Sequence, residues 1–177
     1  MARVIDLNPL TRMTTGAIGK PGKRVFYLQG ESPERRISLI CEKQQVQALG
    51  VGIQEFLQDL QQRHPELLSP SGSYLDADME LIEPVEPLFR VGQFGLGYDE
   101  DTDRVILVAQ ETATDQEETE TADEGVTVRF WATRSQMMAM AQHGLGVASQ
   151  GRPICGNCLQ PIDPEGHFCP RRNGHKY

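Results

Sequence analysis

The sequence predicts an α+β fold, with a mostly antiparallel sheet made by a β-β-β-α unit used twice and two helices covering one face. Three observations lead there. Short runs rich in β-branched and aromatic residues are separated by turn residues at hairpin spacing. Two stretches, Lys43 to Arg63 and Arg134 to Ser149, change to a helical period. The order of strands and helix in the first half then returns in the second.

Arg3-Val-Ile-Asp-Leu7 opens as a short extended run and Asn8-Pro9 turns it. Met13 to Ile18 reads as a second strand, ended by the Pro and Gly residues of Gly19-Lys-Pro-Gly22. Arg24 to Gln29 and Arg36 to Cys41 form a stronger pair, with Gly30-Glu-Ser-Pro33 as the hairpin between them. Val46, Leu49, Ile53, Phe56, Leu57 and Leu60 then recur on one helical face. His64-Pro65 ends that helix, because a residue before proline is pushed out of the helical region.

Tyr74 to Pro87 gives no clear element. Phe89 to Gly97 alternates as a strand, and Gly92, Gly95 and Gly97 predict a bend, a bulge or a close backbone approach. Arg104 to Ala109 and Val126 to Ala132 are two more strands, flanking an acidic segment. In the second helix, Met137, Met138 and Met140 predict adaptable apolar packing onto the sheet, and His143 a surface or half-buried position. Gly144 and Gly146 weaken its last turns by about 1 kcal/mol each relative to alanine.

The internal repeat is read from two offsets. Arg24-Val25 with Glu31 matches Arg104-Val105 with Glu111 at 80, and Ile37 to Lys43 matches Val128 to Arg134 at 91. The acidic segment takes up the difference. The expected layout is a sheet domain over residues 1–150, with halves 1–68 and 88–150 and an acidic loop at 112–125, followed by a short separate unit at 151–177.

Charge places limits on partners. The net charge is −8, but Glu111 to Glu124 holds seven acidic residues and no basic one, so the rest is nearly neutral. No aromatic or large aliphatic residue stands between Thr112 and Gly125, the composition of a solvated loop. No run is long and apolar enough to span a membrane, and the opening residues lack the basic-then-apolar order of a secretory signal. The expectation is a cytoplasmic protein with reduced thiols.

Residues 151–177 carry the one constellation with metal chemistry. Cys155, Cys158, His167, Cys169 and His175 fall within twenty-one positions, and the two-residue gap of Cys155-Gly-Asn-Cys158 aims two sulfurs at one ion. Ile154, Leu159, Ile162 and Phe168 are too few to form a core, whereas a structural Zn²⁺ supplies roughly 10–16 kcal/mol. The set predicts a structural zinc knuckle of Cys155, Cys158 and Cys169. The fourth ligand is His167, fixed by the same turn as Cys169, or His175 as the alternative. Three thiolates and an imidazole leave no open position for water, which argues against a catalytic ion.

Taken together, Thr15 to Gln29, the Glu42-Lys-x-Gln-Val46 junction, Phe89-Arg-Val-Gly92 and above all Cys155-x-x-Cys158 through Asp163-Pro-Glu-Gly-His-Phe-Cys-Pro-Arg171 resemble the bacterial family of domain of unknown function 3090 (DUF3090). The resemblance spans nearly the whole chain. It implies a zinc-ribbon-like end on Cys155, Cys158, His167 and Cys169, and because the family commonly has Tyr where His175 stands, it favours His167. It implies no established activity.

The functional expectation is a zinc-binding protein acting as a non-enzymatic binding or adaptor module with a protein partner. No Ser-His-Asp or paired-carboxylate set is present in the pattern, so catalytic residues are assigned to none. The alternative is a hydrolase or transferase with a site on the glycine-rich strand, Phe94 to Tyr98. A third reading is nucleic-acid contact through Arg152, Arg171, Arg172 and Lys176, which outnumber Asp163 and Glu165 in the last stretch. Four charges without interleaved aromatic residues make a small footprint for that role.

Overall fold

The computed structural model describes residues 3–20, 22–112 and 125–150, together with positions 156 and 159. Seven strands and two helices follow in the order β1 (Arg3–Leu7), β2 (Arg12–Ile18), β3 (Val25–Glu31), β4 (Arg36–Cys41), α1 (Lys43–Arg63), β5 (Pro87–Asp99), β6 (Arg104–Glu111), β7 (Val126–Ala132) and α2 (Arg134–Ser149). A single 3₁₀ turn, Asp76–Met79, lies in the connection that the periodicity left without an element. The acidic residues 113–124 and the five proposed zinc ligands lie outside the described residues.

All seven strands form one sheet in the order β1-β7-β6-β5-β4-β3-β2. It is mixed, which corrects the expectation of a mostly antiparallel sheet. The β1–β7 and β4–β5 pairs are parallel, and hairpin neighbours supply the antiparallel ones. Parallel pairing needs a long crossover, and α1 with the segment behind it provides one between β4 and β5. Reading each strand as a hairpin partner of the one before it misses that return.

The sheet also curls. Its two edge strands, β1 and β2, are joined by residues 8–11 alone. Within that link the Leu10 amide donates to Trp131 O of β7 at 3.1 Å, and the next amide, Thr11, donates to Glu31 O of β3 at 2.8 Å. Strands far apart in the sheet order thus meet across one peptide, as in a barrel. The interior holds Leu7, Leu28, Leu39, Leu107 and Phe130, none of them exposed. Each such side chain contributes about 1.5–3 kcal/mol by burial. At Gly30 a methyl group would lie 2.6 Å from the Phe130 ring, so only glycine lets the two walls approach this closely.

The β-β-β-α order recurs in the hydrogen bonds themselves. Asp6 opposite Arg129 matches Pro87 opposite Ser38, so β1 lies 81 positions before its counterpart in β5, and β4 lies 91 before β7. Leu28 opposite Leu39 matches Leu107 opposite Phe130, which sets the β3-to-β6 shift at 79. Thr15 opposite Leu28 matches Leu96 opposite Leu107, at 81 again. Together, then, β1 and β2 are to the first half what the single bent strand β5 is to the second.

The offset of 80 read from Val25 and Val105 is therefore corrected to 79. Strand side chains alternate with period two, so a one-residue slip would set exposed Val25 on buried Val105, whereas Phe26 and Val105 both face the core. Of the matching letters only Val105 is buried, and the Arg and Glu positions, none of them buried, do not fix register.

Both helices begin on capping boxes at equivalent places. Glu42 with Gln45 starts α1, and Thr133 with Gln136 starts α2. Each glutamine also spends its amide on the backbone below the helix, Gln45 donating to Val91 O of β5 at 3.0 Å and Gln136 to Leu10 O of the β1–β2 link at 3.1 Å. The helices pack against each other where Gly50 faces Leu145 and the Ala141 carbonyl, and both feed the same core. Met137 and Met140 are fully buried there.

Candidate functional site

The two halves differ in how they are covered, and the difference makes a groove. In the first half α2 lies close along β2, with Gly144 seated on the Thr15 hydroxyl. A stretch of the α1–β5 connection, residues 71–82, is then laid over that junction. Ser71 donates its amide to Ser135 Oγ at 3.0 Å, and Tyr74 meets His143 edge-on at 5.5 Å. On the outer side of the strands the Thr14 hydroxyl donates to Met79 O at 2.7 Å. The buried Gln29 amide reads both backbone groups of Ile82, donating to its carbonyl at 3.0 Å and accepting from its N–H at 2.8 Å. Leu81 fills the space over Gly16.

The second half has no such cover among the described residues. There α1 meets β5 only sparsely. Between them runs a groove of about 360 Å³, with Gln45, Ala48, Leu49 and Gly52 on the helix side and β5 from Gly92 to Leu96 on the other. Gly52 replaces the His143 position, Gly95 the Thr14 position and Gly97 the Gly16 position. A methyl group on Gly52 or Gly97 would meet nothing within 4 Å, and one on Gly95 would just reach the Val108 side chain. Val91 and Gln93 stand opposite Glu111 and Gln110, so Gly92 is the extra residue of a bulge that turns Phe94, Leu96 and Tyr98 to the side of Ala109, Leu107 and Val105. Phe94 and Leu96 are half-buried and present an apolar wall.

The chemistry of this wall is binding chemistry. Its polar side chains are the amides of Gln45 and Gln93; Gln45 is already bonded to Val91 O, and Gln93 to Gln110. None of the lining residues is an acid, a base or a nucleophile. The glycine-rich strand thus does line a concavity, as the hydrolase or transferase alternative requires, but brings to it no group able to move a proton or attack a bond.

At the end of β5 the polar residues are tied to one another. Tyr98 donates its hydroxyl to Asp103 at 2.7 Å, and Arg134 holds the same carboxylate through Nε at 2.9 Å and Nη2 at 3.2 Å. The Arg134 hydrogen bonds, opposed by burial and helped by the Tyr98 hydroxyl, hold the Asp103 carboxyl below its ordinary range. Burial, then the Asp103 hydrogen bond, pushes the Tyr98 phenol up to about 12, so it stays a donor. Arg134 also bonds Leu68 O, and the His64 ring lies 6.0 Å from the Tyr98 ring. The cluster clamps the end of α1, the β5–β6 turn and the start of α2 together.

The metal residues predicted from spacing, Cys155, Cys158, His167, Cys169 and the alternative His175, lie outside the described residues. Among the described residues no group of three His, Cys, Asp or Glu side chains is placed to hold a metal ion. Cys41 is buried, and that burial pushes its thiol up to about 12, which leaves it inert. No described helix is long and apolar enough to cross a membrane.

Sequence reasoning named the strand side of the groove and missed the helix side. The signal was Gly52, a glycine in the middle of a strong helix. Unlike Gly50, it has no close neighbour to explain its small size.

No curated protein and no solved structure matches the chain. Residues 5–169 match the family described as "Protein of unknown function (DUF3090)". With that match running from β1 through Cys169, the chain belongs to the DUF3090 family.

Proposed function

We propose that the protein is a non-enzymatic binding module. It holds an apolar polypeptide segment in the α1–β5 groove, and Cys155, Cys158, His167 and Cys169 hold a structural Zn²⁺. The observation that carries the binding reading is the filled counterpart: on the other half, the equivalent junction is covered by residues 71–82, which meet α2 at Ser135 and His143 and are held on the outer side of the strands by Thr14 and Gln29. The zinc reading is supported by ligand chemistry and spacing, and by the small apolar content of residues 151–177.

Elemental analysis of untagged protein tests the metal, on the parent and on His167→Ala and His175→Ala. The expected result is one zinc per chain, lost with His167→Ala and retained with His175→Ala. Zinc-free protein with reactive Cys155 and Cys158 thiols would overturn the structural site.

A further inference from the structure

We propose that the α1–β5 groove takes its polypeptide by strand addition: an extended segment of another protein, apolar at alternate residues, pairs with the open edge of β5 at Phe94 and Leu96. The proposal rests on the reading of the groove as a polypeptide site and names how the segment is held.

The first argument is the ladder. Strand β4 accompanies β5 only as far as the Ile40–Arg90 pair, and the chain then leaves the sheet for α1. Beyond that point β5 has one neighbour, β6. The Thr112 amide donates to Arg90 O at 2.9 Å, a bond that flanks the Val91–Glu111 pair, so Glu111 turns its own N–H and C=O away from β5. Direction alternates along the strand. Gln110, Val108 and Ile106 bond to β5, whereas Ala109 and Leu107 turn away from it. Phe94 and Leu96 stand opposite Ala109 and Leu107, so their own N–H and C=O groups point away from β6, to the side that β4 has left. Across the groove Gln45 reaches Val91 O and Gly92 O and goes no further. The edge groups of Phe94 and Leu96 have no hydrogen-bond partner among the described residues.

The second argument is the other half, where the same edge is closed. Thr15 is the counterpart of Leu96. There α2 packs along β2, Gly144 is seated on the Thr15 hydroxyl, and the His143 ring hydrogen-bonds the Thr15 backbone. A helix and a histidine together cover that edge. At the His143 position α1 has Gly52, with no side chain to reach Leu96, and α1 itself stands off from β5.

The third argument is the composition of the edge. Open strand edges are ordinarily blunted by a charge, a proline or a covering element. Gly92-Gln-Phe-Gly-Leu96 carries neither charge nor proline. The half-buried Phe94 and Leu96, with Ala48 and Leu49 of α1 opposite, ask for an apolar residue at every second position of an added strand. Because α1 forms the far wall, the space of about 360 Å³ admits a single strand and keeps out the sheet of a second copy. The described strands of such a copy are all committed to its own sheet, so the segment comes from a different protein.

The test selects a phage-displayed library of random peptides on the full chain and discards those that also bind Gly52→Trp, in which the added indole fills the groove. A methyl group at that position meets nothing within 4 Å, and Gly52→His is a second blocked variant should the first fold poorly. Amide hydrogen exchange, read by NMR, then follows β5 with and without the best peptide. In the free protein the Phe94 and Leu96 amides are expected to exchange roughly tenfold or more faster than those of Gly95 and Gly97, and to slow by a similar factor when the peptide binds. Slow exchange at Phe94 and Leu96 in the free chain would show an edge already covered and overturn the proposal. A peptide that tells the parent from the blocked variants yet leaves those two amides fast would overturn strand addition while leaving the groove a polypeptide site. Absence of any such peptide would overturn both.

Discussion

Single atoms decide several positions in this molecule. A methyl group at Gly30 has nowhere to go, since the Phe130 ring is fully buried and cannot retreat. Gly30→Ala is expected to lose about 1–3 kcal/mol by overpacking, whereas Gly97→Ala, which points into open space, stays close to the parent; urea unfolding midpoints of the two variants check this. Asp103 sets an acid limit. Its carboxyl is held below 3.8 by Arg134, so the bond's stabilisation is fully present above that pH and is lost as the pH falls through the lower folded value. The carboxylate is 43 % exposed, so solvent screens the pair and the effect is modest. In thermal melts from pH 7 to pH 3, Asp103→Asn is expected to be less stable than the parent at neutral pH and to lose less on acidification. Equal losses on acidification would show that this clamp does not titrate.

At the scale of elements, each α-helix and strand of the described residues was readable from period and punctuation, with ends within a few residues of those read, while the 3₁₀ turn at Asp76–Met79 was not. Lys43 to Arg63 shows why: a long apolar stripe, a capping glutamine three residues past Glu42, and a proline after His64 all agree. What the letters hid was register and partnership. Residues 71–82 carry no period because their backbone is held by side chains of other elements, Ser135, Thr14 and Gln29, a cause that leaves no local trace. The helix side of the groove was hidden for a similar reason, since Ala48 and Leu49 read as ordinary stripe residues until the strand opposite is placed. The paired glutamines give an element-level prediction. Gln45→Ala and Gln136→Ala each remove half of a capping box and a bond to the backbone below the helix, and each is expected to cost about 1 kcal/mol. They sit on different helices with no shared partner, so a double variant measured by chemical denaturation is expected to lose the sum.

For the whole molecule, the sequence repeat foretold two similar halves but not their assembly. A hairpin-only reading gives two separate antiparallel units; the parallel β4–β5 and β1–β7 pairs instead splice them into one curled sheet with a common interior. Those pairs join residues too distant in sequence for a local pattern to report. One of them also bears on how the protein is made. Strand β1 has its sheet partner in β7, so Ile5 cannot reach Val128 until more than a hundred further residues have been synthesised. At roughly 5–20 residues per second that is a delay of about 6–25 s, during which Ile5 and Leu7, buried in the finished protein, have no strand to join. The emerging chain therefore carries β1 for that time without its partner, and closing the sheet waits on the ribosome.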